Sequence, residues 1–387
     1  MNPDERVKGL RRAPVLLAHL LGQSRYDFVY DQLSISVRGM GLAKRWNLLR
    51  AGLNLAWRRA QPWAMPLHVQ IELSSLCNLR CSMCPTGNRE LQRPGRFMET
   101  DLFRRLWDEL GPYLLTCSLW AWGESLLHPR FREILAIAER HPVVTMASTN
   151  GQVLDREPVL DALLAHPPTY LIVALDGLSD ETNAQVRVGA RLAPALAGVE
   201  YLAREKRRRG QRLPVLILRT IAMKHNQHEL PRGRTFAAEH GFDVFALRSL
   251  ATVPTPAAGA QHDRLIPDAA RLRAYEYRNN RRLRRDDFVC MQPFWFPSVF
   301  ADGTVVACEQ DVQASRPLGR VAEGIRFSDL WRGAAAAELR REIRGDRAAP
   351  SFCRDCPARD RPRHDVTLEA TCLRPGLSPL VLGERKP

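Results

Sequence analysis

The chain has 387 residues, 45% hydrophobic and 26% charged, a globular balance that excludes a disordered or fibrous protein and suffices for one large domain plus a smaller one. Its 57 Lys and Arg against 42 Asp and Glu give a formal charge of +15, but only five of the basic residues are Lys and the excess is scattered, so it permits an acidic partner without singling one out. No apolar run approaches the roughly 20 residues of a membrane span, and the N-terminus lacks the charged, apolar and small-residue order of a secretory signal, so no integral membrane span and a cytoplasmic location are expected.

Residues 1–65 read as a basic helical extension, with apolar positions at helical spacing around Val15-Leu16-Leu17 and from Leu42 to Trp57, closed by Pro62 and Pro66. From Leu67 onward, short apolar runs alternate with amphipathic helices, the rhythm of parallel βα units. Strands are predicted at 67–73, 114–120, 143–148, 170–175, 215–221 and 244–248, and helices at 101–110, 130–139, 158–165, 193–209 and 228–240. Six strands are too few for an eightfold barrel. Residues 66–250 therefore read as an α/β core, a partial (β/α)6 TIM-like barrel or an open parallel sheet, with function at the C-terminal strand ends. A Pro/Ala/Gly stretch at 252–259 marks a boundary. Residues 251–285 read as a linker and a basic helix over 268–285, residues 286–375 as a small cysteine-rich α+β domain with a hairpin turn at Asp302-Gly303, and residues 376–387 as a tail.

Nine cysteines in a reducing compartment point to metal or catalysis rather than disulfides. Cys77, Cys81 and Cys84 form CxxxCxxC directly after the first core strand. Three thiolates from one short loop can bind three irons of a [4Fe–4S] cluster and leave the fourth iron open to a substrate or cofactor. A structural zinc site takes four ligands, usually as paired halves, and no second half follows here.

At this spacing and place the sequence resembles the radical S-adenosylmethionine (SAM) superfamily, whose signature is CxxxCxxC after the first strand of a partial (β/α)6 barrel. The resemblance implies SAM chelated at the open iron and reductive cleavage to a 5′-deoxyadenosyl radical that abstracts hydrogen from a substrate. It also implies a site sealed from water and an external one-electron reductant of the flavodoxin or ferredoxin type. Trp122-Gly123-Glu124-Ser125-Leu126 resembles the family's GGEP motif, so Gly123 and Glu124 are expected to hold the SAM amino group, although Trp122 replaces the first Gly and Ser125 the Pro. Ser148-Thr149-Asn150-Gly151 resembles a segment near the ribose, which assigns Asn150; on its own Asn150-Gly151 also reads as a turn. Ala174-Leu175-Asp176-Gly177 followed by Arg187 resembles a stretch whose Arg approaches the SAM carboxylate, with Ala174 in place of a Ser. Met83 stands where the family commonly packs an aromatic near the adenine, a slot a thioether can fill.

Cys290, Cys308, Cys353 and Cys356 compose a second possible four-thiolate site, for zinc or for iron–sulfur on the residues alone. Gly303 and Cys308 form GxxxxC, and with the CxxC and the segment 327–332 they resemble the SPASM and twitch domains of radical SAM enzymes. The cysteine count implies one auxiliary [4Fe–4S] cluster. Cys372 has no role assigned, Cys117 reads as a core thiol, and Glu309 and Asp311 flank the site as solvated loop carboxylates or as proton carriers.

An auxiliary cluster is suited to accept the electron of a substrate radical, which favours a net oxidation; epimerisation stays open. The leading expectation is a radical SAM oxidoreductase acting on a small polar metabolite of sugar or aminocyclitol type. The alternative is a maturase acting on a ribosomally made peptide or protein, and a remote one is a zinc-containing nucleic-acid-binding protein, motivated by the charge; nucleic acid is otherwise not an expected partner. No catalytic acid or base is identifiable. The first 65 residues are too short for a cobalamin domain and show no alternating strands; packing against the core is their expected role.

Overall fold

The computed structural model describes residues 19, 22–251, 264–278, 281–283, 285, 288–345, 351–354, 356–361, 366–377 and 380–382. The apolar triplet 15–17 and the boundary stretch 252–259 lie outside these residues.

The chain enters through an antiparallel hairpin, β1 (Tyr26–Tyr30) and β2 (Leu33–Val37), followed by helix α1 (Leu42–Trp57). This corrects the all-helical expectation for residues 1–65. Leu33, Ile35 and Val37 alternate inward as a strand requires, while Asp31 and Gln32 adopt left-handed φ values of 50° and 62° to make the turn. Helix α1 matches its predicted span.

The core strands are β3 (His68–Ile71), then after the short β4 (Arg80–Cys81) come β5 (Thr116–Ser118), β6 (Val144–Thr149), β7 (Tyr170–Ala174), and, past the short β8 (Arg187–Val188), β9 (Val215–Ala222) and β10 (Val244–Ser249). Apart from β4 and β8, which pair only with each other, these six run parallel in the order β3-β5-β6-β7-β9-β10. Their Val/Ile/Leu content suits strands covered on both faces. One face carries Val69, Leu171, Leu218 and Phe245 against the helices, including Phe103 and Trp107 of α2 (Thr100–Leu110). The opposite, concave face carries Met146, Ile172, Ile217 and Ala246, and it is covered by β2 and α1 through Leu33, Ile35 and Leu48. The extension thus covers the sheet face opposite the helices.

Two shorter elements replace a predicted helix each. Residues 228–240 hold a 3₁₀ turn at Leu230–Arg232 before α-helix Gly233–Glu239, because Pro231 interrupts the first turn. Residues 268–285, expected as a basic helix, hold a 3₁₀ turn at Ala270–Leu272 and the small hairpin β11 (Tyr277–Arg278) with β12 (Arg281–Arg282).

The C-terminal region does not stand apart from the core. Strand β13 (Ser298–Val299) adds parallel to β3, and the hairpin to β14 (Thr304–Val306) turns at Asp302-Gly303 as expected, before β15 (Pro317–Arg320). At the other edge β16 (Thr367–Cys372) pairs antiparallel with β10, completing a 10-stranded open sheet that is not closed among the described residues. The expected tail is corrected too: β17 (Leu380–Leu382) pairs with β2, burying Leu380 against the hairpin. Cys117 is a fully buried core thiol of β5.

Candidate active site

Strand β3 runs out through Glu72 and Leu73 into the three-cysteine loop. Ser74 Oγ donates to the carbonyl of Leu76 at 3.0 Å and accepts from its N–H at 3.1 Å, which turns the chain sharply before Cys77. Cys81 lies on β4, whose partner across the ladder is Arg187 on β8. Cys84 N–H donates to the carbonyl of Cys81 at 3.1 Å, and Asn88 Nδ2 donates to the carbonyl of Ser82 at 2.7 Å. Gly87 packs so closely on this turn that a Cβ would lie 2.4 Å from the Cys81 carbonyl oxygen. Burial raises the Cys77 thiol and pushes Cys81 up to about 12, with the Arg187 charge opposing it at Cys81; iron binding must displace those protons.

The second strand delivers Trp122, Gly123 and Glu124 against the start of the same loop. Glu124 N–H donates to the Leu76 carbonyl at 2.8 Å. Glu124 is buried, and its carboxylate accepts from Asn150 N–H at 2.8 Å and from Leu126 N–H at 3.2 Å; burial raises its pKa against those hydrogen bonds. Asn150 Nδ2 donates to Asn78 Oδ1 at 2.8 Å and faces Cys77 Sγ at 3.7 Å. Cys77, Glu124 and Asn150, from three separate strand ends, therefore meet at one corner, and Asn78, which sequence reasoning passed over, joins them. A Cβ on Gly123 would lie 2.1 Å from the Ser74 carbonyl oxygen. Gly123→Ala is accordingly expected to shift the loop and lower 5′-deoxyadenosine formation on the order of 100-fold, at unchanged iron content. Unchanged formation would mean that this contact does not position the loop.

Arg187 donates from Nε to Asp176 Oδ2 at 2.8 Å, and Asp176 Oδ1 accepts from Ile221 N–H at 2.9 Å. Desolvation would lower the Arg187 pKa, but the buried Asp176 carboxylate, with a smaller contribution from Cys81, raises it. Met83 packs against a small apolar cluster of Val186, Met223 and Leu250.

A further pair went unnoticed in the sequence. Glu72 is fully buried, and Arg93 meets its carboxylate with two bonds of 2.9 and 3.0 Å. Glu72 also accepts from Trp122 N–H at 3.4 Å and from Ala301 N–H at 3.1 Å, while Arg93 stacks 3.7 Å over the Phe300 ring. One carboxylate thus ties the cysteine loop, the Gly123 segment and the C-terminal region together. The only sequence signal was a charged residue closing an apolar strand.

The second cysteine set gathers near the other end of β3. Val306 opposes Ser298, which opposes Gln70, so Cys308 follows β14 toward the N-terminal end of that strand. Cys308 Sγ accepts from Gln310 N–H at 3.5 Å, and Cys356 N–H donates to the Cys353 carbonyl at 3.4 Å. Cys290 lies within electrostatic reach of Cys308, Cys353 and Cys356. Burial raises all four thiols, Cys290 to about 11. Glu309 accepts from Gln70 Nε2 at 3.3 Å. Asp311 is not a solvated loop carboxylate: it is buried and accepts from Ser315 N–H, Ser315 Oγ and Arg316 N–H at 2.6 to 2.9 Å, holding the turn after Cys308. Cys372 sits across the sheet on β16, opposite Val244, apart from both sets.

Among the described residues, no three His, Cys, Asp or Glu side chains converge tightly enough to hold a single metal ion. A cubane cluster, whose thiolates each bind a different iron, does not require that. The donor sets fit an open and a closed cluster: three thiols beside a buried carboxylate and a guanidinium, and elsewhere Cys290 and Cys356 each within electrostatic reach of Cys308 and Cys353.

Residues 71–227 match the model of the radical SAM superfamily and residues 290–357 that of the iron–sulfur cluster-binding SPASM domain. A tungsten-containing aldehyde ferredoxin oxidoreductase cofactor-modifying protein of Pyrococcus furiosus is 27% identical over 47% of this chain and 51% of its own length. The chain thus spans about half the length of that relative. The mycofactocin maturase MftC of Mycobacterium ulcerans is 25% identical over 75% of this chain and 80% of its own. In fold, the chain resembles SuiB of Streptococcus suis bound to S-adenosylmethionine, with a TM-score of 0.58 at 14% identity, covering 81% of this chain and 77% of that one. No helix among the described residues is long and apolar enough to cross a membrane.

Proposed function

We propose that this chain, which carries a radical SAM domain followed by a SPASM iron–sulfur domain, is an oxidoreductase that takes a hydrogen atom from a small polar metabolite of sugar or aminocyclitol type. Cys77, Cys81 and Cys84 hold the SAM cluster, and Cys290, Cys308, Cys353 and Cys356 hold one auxiliary cluster. SAM bound at the open iron would supply a 5′-deoxyadenosyl radical for hydrogen abstraction, and a closed cluster held by the second thiol set would be suited to take the remaining electron while the substrate gives up a proton. Gly123 brings backbone close to the SAM amino group, Glu124 accepts from it beyond its two backbone bonds, and Asn150 lies at the ribose. Arg187, held by Asp176 through Nε, offers its terminal nitrogens to the carboxylate, and Met83 lies against the adenine. A flavodoxin- or ferredoxin-type protein delivers the first electron, in the cytoplasm.

The observation that carries this reading is the placement of the two thiol sets at opposite ends of the β3 edge, with the concave face between them. At roughly 3.3 Å per residue the strand separates them, so a substrate between them reaches both. The face there is polar: buried His68 contacts Thr116 and Ser118, and Gln70 contacts Glu309 and Ser298. Burial lowers His68 to about 3, so its imidazole is neutral. The iron–sulfur match over 290–357 favours a cluster over zinc there.

The test is anaerobic iron and sulfide quantification of the reconstituted protein with a dithionite assay for 5′-deoxyadenosine. About eight irons with SAM cleavage are expected. About four irons would remove the internal electron acceptor and with it the argument for oxidation. A second reading, a peptide maturase, is favoured by the long match to the mycofactocin maturase; a short precursor gene beside this one would support it.

A further inference from the structure

The tip of the N-terminal hairpin does more than cover one face of the sheet. Tyr30 stacks on His68 with ring centroids 6.4 Å apart, deep in the concave face. The next residue, Asp31, meets two arginines of that face: Arg219 Nη2 on β9 and, at 3.4 Å, Arg248 Nη2 on β10. Thr367 Oγ1 donates to the same carboxylate at 2.7 Å. Burial alone would raise the Asp31 pKa, but the two guanidinium groups hold it below the usual range.

The location is the one a substrate needs. In the sheet register Arg219 lies level with Ala174, and Arg248 lies level with Ile221, whose N–H binds the Asp176 carboxylate that holds Arg187. Arg248 is thus two strands from Asp176, roughly 10 Å at the usual strand spacing, on the sheet face that carries Ala246.

The charges do not balance. Among the described residues, two guanidinium groups face one carboxylate; Arg219 is 8% exposed, the Arg248 side chain is 29% exposed, and the Nε of each is buried without a hydrogen-bond partner among those residues. A second, partly exposed guanidinium beside a buried ion pair, each arginine with an orphaned Nε donor, is an arrangement that receives a planar anion in two-point fashion.

We propose that Arg219 and Arg248 form a carboxylate-binding subsite for the substrate, and that Asp31 on the β1–β2 turn is an internal carboxylate occupying it until a carboxylate-bearing small molecule displaces the turn. This rests on the reading that the substrate lies on the concave face. It narrows the substrate to a carboxylate-bearing metabolite, such as a sugar acid, and disfavours a simple aminocyclitol.

The test uses the anaerobically reconstituted full chain and succinate as the probe, measured by titration calorimetry, with inorganic phosphate as a second arm. Asp31→Asn, which keeps the shape of the turn and removes its charge, is expected to bind succinate at least about tenfold more tightly than the wild type, a difference of about 1.4 kcal/mol. The gain should vanish in Asp31→Asn/Arg219→Gln and in Asp31→Asn/Arg248→Gln. Equal succinate affinity in Asp31→Asn and wild type, or a gain that survives loss of the arginines, overturns the subsite; tighter arginine-dependent binding of phosphate overturns the carboxylate class. If Asp31→Asn does not fold, hydrogen exchange of residues 26–37 in the wild type decides: it should rise on adding succinate, and no rise overturns displacement of the turn. Reductive SAM cleavage in the same preparations reports separately on the enzyme reading, because its absence would end that reading whatever succinate does.

Discussion

With Cys77, Cys81 and Cys84 all changed to alanine, the reconstituted protein is expected to hold about four irons where the wild type holds about eight, and to release no 5′-deoxyadenosine under dithionite. The loss should be complete rather than graded, because the three thiols come from one loop and a cluster missing its ligands is not assembled. The remaining irons should stay. Cys290 precedes β13, Cys308 follows β14, and Cys353 and Cys356 lie further along the chain, and none of them has a hydrogen bond to the loop among the described residues. A variant that still cleaves SAM would end the assignment of this loop. A variant that loses all iron would mean that the two sites assemble only together.

Glu72→Ala is expected to destabilise the protein by roughly 3–5 kcal/mol, the usual consequence of removing one partner of a buried ion pair. Arg93 would be left under the sheet edge, 11% exposed at its side chain, with its remaining described bond to the Val312 carbonyl at 2.9 Å. Because the carboxylate also receives Trp122 N–H and Ala301 N–H, the damage should reach both the SAM loop and the C-terminal region. The measurement is the apparent melting temperature beside SAM cleavage. Both should fall in Glu72→Ala, and Glu72→Met/Arg93→Leu should recover much of the stability, since an apolar pair of similar volume leaves no uncompensated charge. A single variant that melts with the wild type would show that the pair does not join the two regions.

The catalytic half of the molecule was legible because its signals are local. CxxxCxxC places three thiols in one turn whatever surrounds it, and each motif follows an apolar run that can only be a strand. The hairpin at 26–37 was not legible: its strands are five residues each, its turn uses Asp31 and Gln32 where Asn-Gly would signal positive φ, and a strongly helical segment follows. The auxiliary region was legible as a set of cysteines and not as a continuation of the core sheet, because β13 pairs with β3 across a long stretch of chain without any feature of either strand naming its partner.

By itself, the sequence determined the βα rhythm, the two cysteine sets and the residues at the strand ends, since periodicity and spacing specify which face of an element is apolar and which ligands share a loop. Tertiary structure alone decided what covers each face. It brought Glu72 to Arg93, laid β16 and β17 back onto the sheets, and set Asp31 against Arg219 and Thr367, 188 and 336 residues away. The physical reason is that an apolar face or a buried charge states a need for a partner, and only the packed chain supplies which partner meets it.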